Sequence, residues 1–184
     1  MKVIETSIEG VLIVEPELKS DRRGYFMETY QEEKFRNLGL PTKFVQDNHS
    51  LSYKNTIRGL HYQVPWPQGK LVRVSRGAVM DVAVDIRKGS PTFGQWVSCE
   101  LSEDNRRQLW LPPGFTHGFC TLTDIADLVI KCTELYVKPN TYRIAWNDPD
   151  IGIDWPISDP TLSDKDMSSP LLREVSVFPE YVST

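Results

Sequence analysis

The sequence predicts an all-β protein, an antiparallel double-sheet jelly roll with a few short helices. Short apolar segments recur at close intervals along the 184 residues, separated by Gly, Pro, Asn and Asp, which is typical of sandwiches and barrels. Residues 79–87 alternate in the way a strand does, with Met80, Val82, Val84 and Ile86 on one face. Residues 31–38 form the best helix candidate, and Gly39-Leu40-Pro41 supplies a stop.

The remaining strands follow from the same reasoning. We expect strands at residues 11–14, 24–30, 71–75, 79–87, 94–101, 108–111, 119–122 and 128–136. Pro112-Pro113-Gly114 forces a corner between two of them. No repeat or linker divides the chain, so we expect one domain over residues 1–184, with the jelly-roll core at about 10–140 and an ordered tail at about 141–184.

Composition limits the classes of function. The chain is 40% hydrophobic and 25% charged, with a net charge of -4, which argues against a general nucleic-acid or membrane-surface binder. No segment approaches the ~20 apolar residues of a membrane span, and no signal peptide is visible, so we expect a cytoplasmic protein. The three cysteines form no CxxC pair and fit a reduced compartment; they are interpreted as buried residues without a catalytic role.

The segment around His61 is the best candidate for chemistry. Strand alternation would place Ile57, Gly59 and His61 on one face and Arg58, Leu60 and Tyr62 on the other. A histidine on the inward face, near the cations of Arg58 and Lys70, suits removal of a proton beside a group that becomes an oxyanion.

A metal site is the weaker interpretation of the histidines. His61 and His117 could be two ligands, but Gln63 stands where a better third ligand would be needed, and zinc sites use three or four protein ligands. No phosphate-binding loop, GxGxxG, HExxH or GxSxG signature occurs. We therefore expect no metal and no cofactor.

Seven segments together resemble the dTDP-4-dehydrorhamnose 3,5-epimerase family, in the same order and with similar spacing. They are DRRGYFME at 21–28, IRGLHYQ at 57–63, QGKLV at 68–72, DVAVDIR at 81–87, GFTHGF at 114–119, WNDP at 146–149 and LSDKD at 162–166. The resemblance implies a cupin-like jelly roll and a homodimer. It also implies cofactor-free epimerisation at C3 and C5 of dTDP-4-dehydro-6-deoxy-D-glucose, beside the C4 ketone.

The resemblance also implies roles for individual residues. His61 matches the family's catalytic base, Asp166 the carboxylate that orients it, and Lys70 the cation beside the C4 oxygen. The positions that match substrate contacts are Arg23 (diphosphate), Phe26 and Glu28 (thymine, from the partner subunit), Arg58 (sugar and diphosphate), Asp81 and His117 (pocket lining), Gln46 and Asn48 (polar contacts) and Tyr136 (nucleotide end).

One position departs from the family pattern. Ile130 stands where the family has a tyrosine that donates a proton opposite the histidine. Tyr136 is six residues further on and, on an extended strand, roughly 20 Å away, which is too far to replace it. Four alternatives stay open: another acid or a water, epimerisation at C3 only, an impaired enzyme or another sugar, and a nucleotide-sugar-binding protein without catalysis.

Asp81 poses a separate question. If Met80, Val82 and Val84 face the core, alternation turns Asp81 to the opposite face. A pocket role for Asp81 therefore requires that both faces of this strand be covered, and the second subunit is one candidate for the cover.

Overall fold

The computed structural model describes residues 1–182, and its regular elements are mostly antiparallel strands. The strands are β1 Lys2–Glu5, β2 Leu12–Glu15, β3 Leu18–Asp21, β4 Gly24–Met27, β5 Gln46–Tyr53, β6 Ile57–Gln63, β7 Lys70–Arg76, β8 Ala78–Asp85, β9 Trp96–Ser102, β10 Gln108–Leu111, β11 Phe115–Thr121, β12 Ile125–Cys132 and β13 Thr141–Arg143. The helices are α1 Glu32–Asn37 and α2 Asp164–Met167, with 3₁₀ turns at Lys138–Asn140 and Leu172–Glu174. Among the described residues, no helix is long and apolar enough to cross a membrane. Residues 183–184, the end of the expected tail, lie outside the described part.

Two sheets form the body of the molecule and confirm the predicted double-sheet jelly roll. The larger sheet has the order β1-β2-β10-β7-β12-β5, and the smaller has the order β13-β6-β11-β8-β9. Within residues 1–182, β3 and β4 pair only with each other. One core cluster takes side chains from both sheets, such as Val72 and Leu128 from the larger and Val79 and Ala83 from the smaller. The two sheets therefore share one apolar interior.

The outer face of the smaller sheet is covered by the C-terminal part of the same chain. A second core cluster joins Val82 and Val84 of β8 to Trp155 and Leu172. Strand β8 is thus buried on both faces, as an inward-facing Asp81 requires. The cover comes from residues 151–178 of this chain, so a second subunit is not needed for it.

The predicted helix is confirmed as α1. Gln31 is its N-cap and accepts a hydrogen bond from the Lys34 backbone N–H at 2.6 Å. Phe35 is buried and meets the rings of Tyr30 and Phe44 edge-to-face. This aromatic cluster attaches α1 to the outside of the larger sheet beside Trp110.

The prediction that β6 side chains alternate regularly between the two faces of the sheet is wrong beyond Gly59. The pairing of β6 with β11 shifts register between His61 and Arg58, as at a β-bulge, and this shift interrupts the alternation. Leu60 consequently packs in the same cluster as Ile57, whereas Arg58 lines the same cleft as His61. The bulge is built on a close approach: a Cβ on Gly59, at φ +137°, would lie 2.5 Å from the Gly118 Cα.

Several strand ends also differ from the sequence pattern. The strand expected at 24–30 ends at Met27, the one at 119–122 begins earlier, at Phe115, and the one at 128–136 ends at Cys132. The strand expected to continue to Arg87 ends at Asp85, because the Asp85 carboxylate accepts hydrogen bonds from the Arg87 N–H and the Ser90 hydroxyl and closes a turn.

Candidate active site

A cleft of about 650 Å³ lies between the two sheets. The smaller sheet contributes His61 and His117 to its lining, and the larger sheet contributes Lys70, Ile130 and Cys132. Helix α2 adds Asp166. Titratable groups from distant parts of the sequence therefore meet across one cavity, which is the usual form of a catalytic pocket.

His61 and Asp166 form the closest polar pair in the cleft. His61 Nε2 lies 2.6 Å from Asp166 Oδ1, and the Asp166 side chain is only 5% exposed against 35% for His61. Ser163 caps α2 and donates from its hydroxyl to Asp166 Oδ2 at 2.9 Å, which fixes the carboxylate. The second ring nitrogen of His61 has no partner among the described residues.

The surroundings of this pair favour a neutral imidazole next to an ionised carboxylate. Burial is the largest influence on His61 and lowers its pKa below 6.5; Asp166 opposes this effect, while Lys70 and Arg143 reinforce it. Burial alone would raise the pKa of Asp166, but its hydrogen bonds to His61 and Ser163 and the charge of Arg143 lower it. Nε2 therefore carries the hydrogen, and Nδ1 keeps the lone pair that a base needs.

Lys70 and Arg58 bring positive charge to the cleft. The Lys70 ammonium, on β7, reaches across to the His61 carbonyl oxygen at 3.4 Å. Burial lowers the pKa of Lys70. Arg58 is held by the Ser52 hydroxyl at 2.9 Å and by the Leu51 carbonyl at 3.2 Å. These cations can stabilise an oxyanion or a phosphate in the cavity.

His117 and Asp81 form a second pair on the neighbouring strands. His117 is directly opposite His61 in the β11–β6 register, and its Nε2 lies 3.0 Å from both carboxylate oxygens of Asp81. His117 lines the cleft. Asp81 is completely buried behind it, and its charge also acts on Lys70, where it opposes the lowering of the pKa by burial.

The residues expected to make polar contacts, Gln46 and Asn48, are joined by hydrogen bonds to each other and to Tyr136, which was expected at the nucleotide end. Asn48 and Tyr136 line the cleft. Gln46 does not line the cavity directly; its amide donates to Asn48 Oδ1 at 2.9 Å and its oxygen accepts from the Tyr136 N–H at 2.8 Å. Because β12 ends at Cys132, Tyr136 is not on that strand as expected, but it still lines the cleft and is 51% exposed.

Arg23, Phe26 and Glu28 lie away from this cleft in the single chain. Arg23 is exposed and pairs with Asp21, and Glu28 pairs with Lys34 at 2.6 Å. Phe26 is 70% exposed on the β3–β4 hairpin. These three residues can contribute to a site only if the hairpin meets another copy of the chain.

Ile130 lies on the wall of the cleft, level with Asn48 on β5 and Val72 on β7. Three phenols line the cleft among the described residues, those of Tyr53, Tyr62 and Tyr136. The Tyr62 hydroxyl donates to the Val177 carbonyl at 2.8 Å and its ring stacks on Tyr142, while Tyr53 and Tyr136 are 66% and 51% exposed. No tyrosine hydroxyl replaces the one that is missing at position 130 in the interior of the described cleft.

Arg143 is the functional candidate that the sequence reasoning missed. It pairs in register with His61 through β13, and its Nε lies 3.7 Å from the same Asp166 oxygen that His61 contacts. The only sequence signal was the neighbouring WNDP segment, which did not single out this arginine.

Over residues 1–182, no three His, Cys, Asp or Glu side chains converge as metal ligands.

Known proteins of similar sequence and structure show which family the chain belongs to. A family model described as dTDP-4-dehydrorhamnose 3,5-epimerase matches residues 5–174. Curated proteins of that name from Salmonella typhimurium and Methanothermobacter thermautotrophicus are 54% and 51% identical, over 95% and 96% of this chain and 97% of each relative. The crystal structure of a dTDP-6-deoxy-D-glucose-3,5-epimerase from Legionella pneumophila, in complex with dTDP-4-keto-L-rhamnose, has a TM-score of 0.96 and 46% identity and covers 99% of both chains. The chain therefore belongs to the dTDP-4-dehydrorhamnose 3,5-epimerase family.

Proposed function

We propose that this protein converts dTDP-4-dehydro-6-deoxy-D-glucose to dTDP-4-dehydro-L-rhamnose by inverting C3 and C5 without a cofactor. The observation that carries the proposal is the His61–Asp166 pair at 2.6 Å, which opens into a cleft that also holds the Lys70 ammonium. The names of the relatives and the ligand of the Legionella structure support the choice of substrate.

The chemistry requires a base at carbon and donors at the ketone. In our proposal, His61 removes the proton from C3 or C5, and the electron pair moves into the C4 oxygen to give an enolate. Asp166 orients the imidazole and stabilises the imidazolium that forms, while Lys70 neutralises the C4 oxygen. General acid–base assistance contributes about 10²–10⁴-fold, and the cation supplies further stabilisation of the enolate.

The other cleft residues bind the substrate. We assign Arg58 to the sugar and diphosphate, His117, backed by Asp81, to the sugar, and Asn48 to polar contacts. Tyr136 offers an aromatic surface at the nucleotide end, and it is 51% exposed. Gln46 joins Asn48 to the Tyr136 backbone, so it acts by positioning these two residues.

We further propose a homodimer in which the β3–β4 hairpin of one protomer completes the site of its partner. This hairpin has no other strand neighbour in the described chain and exposes Phe26 and Tyr25, which are 70% and 51% accessible. Arg23 would then reach the diphosphate, and Phe26 and Glu28 the thymine. Sedimentation should give a dimer, and Phe26→Ala should weaken binding of dTDP. A fully active monomer would contradict this arrangement.

The domain and location expectations stay part of the proposal. The tail from residue 141 supplies α2 and the cover of the smaller sheet, which supports one domain over residues 1–184. The three cysteines are free and buried, which fits the reducing cytoplasm.

Product NMR in heavy water tests the function. The wild-type protein should introduce deuterium at both C3 and C5 and give the inverted configuration at both carbons. His61→Ala should lower both exchange rates by about 10²-fold or more, because the base is lost. Exchange at C3 alone would restrict the reaction to one carbon, and full exchange in His61→Ala would remove His61 from its role.

A further inference from the structure

Inversion at carbon needs an acid as well as a base, and none of the residues assigned above supplies this acid. If His61 removes a proton from one face of the sugar, an acid must deliver a proton to the opposite face. Ile130 cannot donate a proton. If the protein catalyses the proposed epimerisation, another group in the cleft must be this acid.

The candidates on the side of His61 can be set aside. His117 belongs to the same sheet as His61 and is engaged with Asp81, so it faces the substrate from the same wall. The acid should come from the larger sheet, which faces that wall. Three ionisable groups from this sheet line the cleft in the described chain, Lys70, Cys132 and the Tyr53 phenol. Tyr53 is 66% exposed, which leaves Lys70 and Cys132 as the less exposed candidates. Lys70 reaches across to the His61 carbonyl, which directs its ammonium toward the opposite wall.

Cys132 differs from the other two cysteines. The Cys99 and Cys120 thiols point toward backbone carbonyls of the residues that follow them, and neither lines the cleft. The Cys132 sulfur instead accepts from the Asn48 amide at 3.6 Å, and its own S–H has no acceptor among the described residues. Cys132 is 1% exposed and lines the cleft, two residues beyond Ile130 on the same face of β12.

We propose that the Cys132 thiol is the acid that protonates the enolate on the face opposite His61. In this step the enolate electron pair forms the new C–H bond, the S–H bond breaks, and the C4 ketone is restored. The thiolate then takes a proton from water, and the His61 imidazolium returns its proton to solvent. No oxidant, reductant or further co-reactant is required.

The surroundings of Cys132 suit both halves of this step. Burial raises the pKa of the thiol, which keeps it protonated at neutral pH before the transfer. Lys70, opposite Cys132 in the β12–β7 register, acts in the other direction and stabilises the thiolate once it has formed. A thiol is a stronger acid than the carbon beside a ketone, so the transfer to carbon is downhill.

Removing the thiol should separate proton exchange from inversion. In heavy water, Cys132→Ala should still exchange the C3 and C5 protons, because His61 can return deuterium to the face from which it took the proton. Inversion should fall by about 10²–10⁴-fold. Cys120→Ala, which removes a buried thiol outside the cleft, should keep the wild-type ratio of inversion to exchange. Introducing Ile130→Tyr into Cys132→Ala should restore inversion, since it returns a hydroxyl to the same strand face.

Each other outcome has a defined meaning. Wild-type inversion in Cys132→Ala would overturn the proposal and assign the acid to Lys70 or water. Loss of exchange together with inversion would also overturn it, because the thiol would then support the whole site. A wild-type protein that neither exchanges nor inverts would refute the proposed function itself. Melting temperatures of Cys132→Ala and Cys120→Ala control for loss of folding.

Discussion

The two histidine–aspartate pairs of the cleft are neighbours, yet their environments differ. His117 and Asp81 come from adjacent strands, and their side chains are 6% and 0% exposed. His61 is 35% exposed, and its partner Asp166 arrives from a helix more than 100 residues away in the sequence. The His117 ring meets both oxygens of its carboxylate, whereas the His61 carboxylate is shared with Ser163 and Arg143.

The comparison suggests that the same two residue types serve different purposes. A buried and symmetrically held pair resists change of charge, because any new charge would be desolvated, and it suits a fixed binding contact. A partly exposed histidine, whose carboxylate partner is shared with other side chains, can gain and lose a proton during a catalytic cycle. We therefore expect proton transfer at His61 and substrate positioning at His117.

Replacement of Asp166, the carboxylate that contacts the base His61, should lower the rate more than any change in the His117–Asp81 pair. Asp166→Asn removes the charge that stabilises the His61 imidazolium, and we expect kcat/KM to fall by about 10²–10⁴-fold. Steady-state kinetics check this value, with circular dichroism as the control for folding. A variant that retains wild-type kcat/KM would show that the two pairs do not differ in the way described.

The corresponding change in the second pair should act mainly on stability and binding. Asp81→Ala leaves His117 Nε2 buried without its partner, which should cost about 1–3 kcal/mol in the free energy of unfolding. In the folded variant, KM should rise more than kcat falls. Urea denaturation and kinetics at saturating substrate measure the two effects. A fall in kcat equal to that of Asp166→Asn would assign proton transfer to both pairs.

The smallest effect should appear in the pH profile. The pKa of His61 is lowered, so the base is neutral above it and activity is lost as the pH falls through it, at a pH below 6.5. Arg143→Gln removes one influence that lowers this pKa, and the acidic limb of kcat/KM should move to higher pH. Arg76→Gln, which removes an exposed cation paired with Asp127, is the matched control. An unmoved limb in Arg143→Gln would mean that Arg143 does not act on the His61–Asp166 pair.

Local patterns predicted the parts of the fold that depend on neighbouring residues. The bounds of β10 follow from a short apolar run before a proline corner, and α1 follows from helical spacing and a C-terminal glycine. The faces of β6 could not be predicted, because the bulge depends on the approach of Gly59 to Gly118, far along the chain. The end of β12 depends in the same way on distant partners, because Cys132 pairs with Gln46 and Lys70, the residues at which β5 and β7 begin.

The sequence predicted the site about as far as it predicted the fold. The sequence points to His61, Lys70 and Asp166 as candidates, but only the resemblance to the family links Asp166 to the histidine. Arg143 was missed because it is brought to His61 by the pairing of β13 with β6, and no local sequence pattern predicts this pairing. The contact between Asp166 and the histidine is equally non-local, since it depends on how α2 packs against β6.

Nitrogen-15 NMR of the His61 ring would test the central claim most directly, because it reports the charge and the tautomer of the imidazole. We predict a neutral ring at pH 7 with its hydrogen on Nε2, converting to imidazolium only below pH 6.5. An imidazolium at neutral pH, or a neutral ring with its hydrogen on Nδ1, would contradict the account.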